Sequence, residues 1–268
     1  MRLKSTIVLC SALWSMANAQ TPAAPASTGS DAPPPSISLS PAVIMVRCKA
    51  GQSTTQTLTI TNHTANEFRF NLTTEDVVVR DGKRSLLPAG QIDNGIAATS
   101  VVAPATVVVR GGEAASVQVT LTVPPETVQR AVVTFFRGVV APSSPGVVGL
   151  SASMGTLITF NLSGDAQVEV GPVQASIQTP AANMVLSEEL RNRGTEPVIP
   201  KGVIVILNAA GKRVAKASFN AQRMLPGEQL TFATTNPAQL PSGHYRTLTS
   251  FEFERKIQTS AGEFTIPE

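Results

Sequence analysis

The sequence predicts an all-β fold of two tandem immunoglobulin-like antiparallel β-sandwich domains. Three observations predict it. Apolar and polar residues alternate with a period of two in short runs along the chain. Clusters of Gly, Asn, Asp and Pro separate those runs, and 19 glycines and 20 prolines in 268 residues supply the punctuation. No stretch carries a helical apolar period.

The chain opens on a leader. Arg2 and Lys4 give a basic start, Ile7 to Trp14 a short apolar run, and Ala17-Asn18-Ala19 a small-residue cleavage site, so residues 1–19 are read as a signal peptide. Its removal leaves 19 basic residues against 18 acidic ones, and the net charge falls from +3 to +1. That is no footprint for nucleic acid or an anionic membrane. Trp14 and Cys10 leave with the leader, and Cys48 alone cannot form an intrachain disulfide, so the core itself must hold the fold. No later run approaches the ~20 apolar residues of a membrane span, and no integral membrane segment is expected after cleavage. Residues 20–36 follow as a Pro/Ala-rich tail whose only charge is Asp31, too poor in apolar surface to offset its ordering entropy.

The first domain is expected over 37–163, starting at Ile37-Ser38-Leu39. Thr57 to Thr61 alternates around Leu58 and Ile60, and Asn62 to Asn66 is a turn cluster. Phe68, Phe70 and Leu72 resume the alternation. Val77 to Val79 and Leu86-Leu87 flank Arg80-Asp81-Gly82-Lys83, where Asp-Gly is a strong hairpin signal. Further strands are expected at Val107 to Val109, at Val117 to Val123 and at Val132 to Val140.

Val148 to Leu162 closes this set and organises it. Even positions from Val148 through Leu150, Ala152 and Met154 to Ile158 and Phe160 are apolar, and odd positions are small or polar, with Thr156 and Leu157 as the exceptions. Fifteen residues at about 3.3 Å each span roughly 50 Å, against about 17–20 Å for a typical strand. Thr156 to Leu162 is expected to pack in the core. Val148 to Met154 is expected to reach past the sheet as an apolar edge that a partner covers. The alternative is a long hairpin strand buried throughout.

Ser163-Gly164-Asp165-Ala166 is the expected junction to a second domain over 164–268. Its strands are expected at Val168 to Val170, Gln174 to Gln178, Met184 to Leu190, Val203 to Leu207 and Val214 to Phe219. Others are expected at Leu230 to Ala233, Tyr245 to Phe253 and Phe264 to Ile266, with Ser260-Ala261-Gly262 as a turn. Tyr245, the only tyrosine, follows Leu240-Pro241-Ser242-Gly243. It is the candidate tyrosine corner, a structural residue whose hydroxyl bonds back to the preceding chain. The halves also share a Gly-polar turn before a strand, Gly111-Gly112-Glu113 in one and Pro226-Gly227-Glu228 in the other.

Catalytic chemistry finds no support. His63 and His244 lie in separate domains with no Cys/His cluster for zinc, and Cys48 with His63 lacks an orienting third group. Gly149-Leu150-Ser151-Ala152-Ser153 lacks the second glycine of a nucleophile elbow. Phosphate loops, dinucleotide fingerprints and calcium loops are absent. The expectation is no catalytic residue, no metal and no cofactor, and a protein that binds other proteins.

In layout the chain resembles periplasmic pilus-assembly chaperones of the PapD-like family. The resemblance rests on Ser38-Leu39-Ser40-Pro41, on Gly51 through Leu58-Thr59-Ile60-Thr61-Asn62, on Arg130 through Phe135-Phe136, and on Val148 to Leu162. It implies an exported chaperone-like protein whose strand at Val148, Leu150, Ala152 and Met154 is lent to a client, a pilin-like subunit delivered to an outer-membrane usher. It also implies a basic pair that holds the client's terminal carboxylate. That pair would fall near Ser40 or Pro41 and near Thr156, where no residue is basic; Arg47 or Lys49 are the substitutes considered. A periplasmic location follows, or else a cell-surface one if the chain is an adhesion or structural envelope protein with immunoglobulin-like domains.

Overall fold

Alternation sorts the residues of nearly every strand into a buried and an exposed row. In β3 (Ser53–Asn62), Leu58 and Ile60 are fully buried while Ser53, Thr55 and Thr57 face solvent. The structure is a computed structural model, and it describes residues 36–140, 151–176, 184–236 and 240–267. The leader, residues 20–35 of the Pro/Ala-rich tail, Val148 to Leu150 and Ile177-Gln178 lie outside the described residues.

The first sandwich is built from β1 (Ile37–Ser40), β2 (Val43–Arg47), β3, β4 (Phe68–Arg80), β5 (Lys83–Pro88), β6 (Val101–Ala103), β7 (Thr106–Val109), β8 (Ala114–Thr122), β9 (Ala131–Val139) and β10 (Ser151–Asn161). One sheet runs β1-β3-β8-β6; the other runs β2-β10-β9-β4-β5, with β7 also on β4. Phe70, Phe136, Phe160, Leu58, Ile60 and Ile158 fill the space between them. The Asp81-Gly82 turn joins β4 to β5 with both residues at positive φ, 50° and 75°, as a two-residue hairpin demands.

The second sandwich holds β11 (Val168–Val170), β12 (Gln174–Ser176), β13 (Val185–Asn192), β14 (Lys201–Leu207), β15 (Arg213–Phe219), β16 (Gln229–Thr235), β17 (Gly243–Phe253) and β18 (Lys256–Ile266). β16 lies along one edge of β13, and β11 and β12 share the other; the facing sheet runs β15-β14-β17-β18. Phe219, Phe232 and Phe251 form its aromatic centre, with ring centroids 5.2 and 5.4 Å apart. The Tyr245 hydroxyl donates to the Pro241 carbonyl, four residues back, at 2.8 Å.

Here the structure corrects the expectation for Ser260-Ala261-Gly262. These residues lie inside β18, opposite Thr249, Leu248 and Thr247. The turn falls instead at Glu254-Arg255. Gly262 serves close packing: a Cβ there would sit 3.1 Å from the Thr247 hydroxyl and 3.3 Å from Val173.

The two sandwiches meet on side chains from both. Leu225 is buried with Val77 and Ala131, against Val79, Val133 and Leu157; burial of such a leucine contributes about 1.5–3 kcal/mol. The Gly82 carbonyl accepts the Gln229 N–H at 2.9 Å. Glu196, almost fully buried, accepts the N–H groups of Leu162 (2.9 Å) and Gly164 (3.0 Å) and the Arg130 guanidinium (3.3 Å), which pins the linker on both sides of Ser163.

Candidate functional site

β10 pairs with β9 without interruption from Ser151↔Val139 to Thr159↔Ala131. Over the described residues it therefore does not outrun its sheet, contrary to expectation. Its other edge differs along its length. β2 occupies that edge only from Leu157 to Asn161, in the one parallel pairing of the described strands. No described strand covers Ser151 to Thr156. The Leu157 N–H points to this side, donating to the Ala42 carbonyl at 3.0 Å. N–H groups alternate along a strand, so those of Ser151, Ser153 and Gly155 face the open edge too.

The apolar row points inward. Met154 lies opposite Phe136 and Ala152 opposite Gly138, and both are half-buried against the first core. Gly138 makes that packing possible, since a Cβ there would sit 2.3 Å from the Phe70 ring. Val148 and Leu150, the other residues of the row, lie outside the described residues.

The two exceptions to the alternation have separate causes. Thr156 is fully buried, and its hydroxyl donates to the Pro41 carbonyl at 2.8 Å, where β2 is about to join. Leu157 faces the second sandwich, in the cluster around Leu225. Gly155, next to them, has the Phe135 ring across it: a Cβ would stand 3.2 Å from that ring and 2.5 Å from a Val133 methyl. Arg137 covers the same ring at 4.4 Å and pairs with Glu75 at 2.6 Å.

At the end of the open edge lies a crevice of about 560 Å³ between the sandwiches. Val43 and Leu157, the first β2–β10 pair, line it with Arg84, Arg223 and Glu228. Arg84 holds Glu228 at 2.7 Å and donates to the Arg223 carbonyl at 2.6 Å. Arg223 donates to the Thr159 hydroxyl at 2.5 Å and, among the described residues, has no carboxylate partner. Burial, and then the charge of Arg84, push its guanidinium below the usual arginine range. A guanidinium so placed gains from an anion.

Ser40-Pro41 and Thr156 do come together, through the Thr156–Pro41 hydrogen bond, but they offer no charge. Arg47 and Lys49 do not line this crevice; Arg47 lies at the far end of the β2–β10 pairing, opposite Asn161. The cations sit instead on β5 and on the loop before Leu225. Sequence reasoning missed them because Arg84, Thr159 and Arg223 meet only through the docking of the two sandwiches.

The remaining candidates for chemistry are dispersed. His63 touches Ser38 at 3.5 Å, and His244 pairs with Glu263 at 3.2 Å. Burial and then Glu196 push the Cys48 thiol up, away from the thiolate a nucleophile needs. Among the described residues no three His, Cys, Asp or Glu gather as a metal site.

No family model and no curated protein sequence matches the chain. Solved structures do. The class 5 fimbriae chaperone CfaA is 11% identical, with a TM-score of 0.48 over 87% of this chain and 100% of its own. What the chain is similar to is a group of fimbrial chaperones. A chaperone–tip adhesin complex of CFA/I fimbriae biogenesis gives 11% identity and a TM-score of 0.46, over 87% of this chain and 100% of the matched one. The Salmonella enterica SafA pilin–SafB chaperone complex gives 12% and 0.40, over 86% and 96%.

Proposed function

We propose that this is an exported, periplasmic chaperone-like protein that holds a pilin-like client by strand addition along the open edge of β10. One observation carries the reading: an edge that no described strand covers from Ser151 to Thr156 and that is closed at Leu157 by a strand of the chain's own. Unpaired backbone groups on such an edge are a template for an incoming strand. Ala152 and Met154, with Val148 and Leu150 upstream, supply the apolar row beside it. On this reading 37–163 is the lending domain and 164–268 the domain that walls the crevice.

The geometry also supports a direction for the added strand. β2 runs parallel to β10, so a client strand laid head-to-tail with β2 would also run parallel and bring its C-terminus to the crevice. Its terminal carboxylate then meets Arg223, the acceptor-poor guanidinium, with Arg84 behind it. An antiparallel strand beginning at the crevice would bring its terminal amine to two cations, which is unfavourable.

Short peptides alternating valine and threonine, with free or amidated C-termini, test both parts by fluorescence anisotropy. The free-acid form is expected to bind about tenfold tighter, and Arg223→Gln to erase that difference. Ser153→Pro removes an N–H from the open edge but none from the β9 ladder, so it is expected to abolish binding while the melting temperature holds. Equal binding of the two peptide forms by the parent protein overturns the carboxylate anchor. Undiminished binding by a folded Ser153→Pro protein overturns the edge and favours an adhesion protein that binds through loops.

A further inference from the structure

The turn between β17 and β18 has an unusual composition for its shape. Phe253 pairs directly with Lys256, which leaves Glu254 and Arg255 as a two-residue hairpin loop with φ of 41° and 64°. Loops of this shape are dominated by Gly, Asn and Asp because other side chains are strained at positive φ. Ser163, in the linker between the sandwiches, is at φ 66°. Positive φ is found at two further non-glycine residues among those described, Asp81 and Asn94, both of types that tolerate it. The three that tolerate it least line a single pocket.

That pocket, about 340 Å³, is walled by Arg47, Asn161, Ser163, Glu254 and Arg255. It is separate from the crevice of Arg223. Arg47 ends β2 opposite Asn161, whose side-chain oxygen accepts the Ser163 N–H at 3.1 Å. Arg84, Arg130, Arg137 and Arg193 each hold a carboxylate. Among the described residues, neither the Arg47 nor the Arg255 guanidinium has a hydrogen-bonding or ionic partner. Single exposed arginines occur elsewhere, as at Arg246. Two that open on one concavity, held there by a strained turn and a strained linker residue, are a different arrangement.

We propose that this pocket binds a phosphate group between Arg47 and Arg255. Two planar guanidinium forks lining one pocket suit an oxyanion with several acceptor oxygens. The lining carries two positive charges and one negative, so it keeps a net attraction. The strain is then explained as the local cost of keeping Arg255 in the lining of the pocket, since strained backbone persists where it serves a ligand. Arg47 belongs to the first sandwich and Arg255 to the second, so an occupied pocket would fasten the two. The phosphate is either free in solution or the headgroup of an anionic phospholipid.

Isothermal titration of the full protein with inorganic phosphate, against chloride at matched ionic strength, addresses the first source. Co-sedimentation with phosphatidylglycerol vesicles, against phosphatidylcholine vesicles, addresses the second. Arg47→Gln and Arg255→Gln are each expected to weaken binding of the responding probe about tenfold, and Arg246→Gln to leave it unchanged. Glu254→Gln removes the opposing charge and is expected to tighten it. Circular dichroism confirms that each variant is folded. Response to phosphate assigns the free anion, and response to vesicles alone assigns the headgroup. Response to neither probe overturns the proposal, as does a loss in Arg246→Gln equal to that in Arg47→Gln and Arg255→Gln.

Discussion

Each sandwich buries one carboxylate among neutral groups. Asp76 is fully buried; one oxygen accepts the Ala97 N–H at 3.0 Å and the other has no partner. Glu188 accepts the hydroxyls of Thr249 and, at 2.9 Å, Ser260. Burial raises both above the ordinary values of 3.8 and 4.5, against the pull of their hydrogen bonds. The folded state therefore holds these protons at a pH where the unfolded chain has released them. Stability from these groups is greatest below the unfolded values and declines as pH rises from about 4 through the raised folded values. Glu188→Gln keeps an acceptor for one hydroxyl and cannot ionise. Urea unfolding between about pH 4 and pH 7 should show a flatter profile for this variant than for the parent, and a higher midpoint at neutral pH.

At the scale of elements, glycine–phenylalanine pairs across neighbouring strands recur. Gly138 on β9 lies beside Phe70 on β4, and Gly202 on β14 beside Phe251 on β17; a Cβ at either glycine would come within 2.6 Å of the ring. Gly138→Ala is expected to destabilise by about 1–3 kcal/mol through overpacking, measured by chemical denaturation. A smaller core residue at Phe70 in the same protein should recover part of that loss. These pairs show what the sequence can disclose about strands. The alternation of Phe68, Phe70 and Leu72 places β4, and Asp81-Gly82 places its turn, because the residue types match the backbone they must adopt. Glu254-Arg255 resist reading for the opposite reason: the chain takes positive φ where its residues do not favour it, and the small residues Ser260-Ala261-Gly262 carry the turn signal instead. Thr156 and Leu157 break the alternation visibly, but only the docked β2 and Leu225 explain why. The edge expected at Val148 to Met154 rests on length, which fails as a guide where β10 stays paired with β9; alternation reports which face is apolar and not which edge lacks a neighbour.

Across the molecule, the two sandwiches turn the same corner with the same residue. Asn62 and Asn192 end β3 and β13, each with a side-chain amide on the carbonyl four residues on, Asn66 (2.7 Å) and Glu196 (2.8 Å). Their backbone carbonyls accept Gly112 (2.8 Å) and Gly227 (2.9 Å). The corners then diverge. Glu113 is exposed beside Arg110, whereas Glu228 is buried under Arg84 and the loop before it carries Leu225 into the first sandwich. The second copy of the corner has thus become the joint. Leu225→Ala is expected to cost about 2–5 kcal/mol of stability by calorimetry. It should also widen the solution scattering envelope, whereas a core truncation inside one sandwich should not.

The start of β2 at Val43 has a geometric result for anything seated along β10. The Ala42 and Pro41 carbonyls accept the Leu157 N–H and the Thr156 hydroxyl, so the chain leading into β2 closes the edge there, like a buffer at the end of a railway siding. On the proposed reading, a parallel visiting segment has latitude at its entering end, while its last residue halts beside Thr156. On that reading, the stop at Val43 fixes the register of a guest from its tail and leaves its length open.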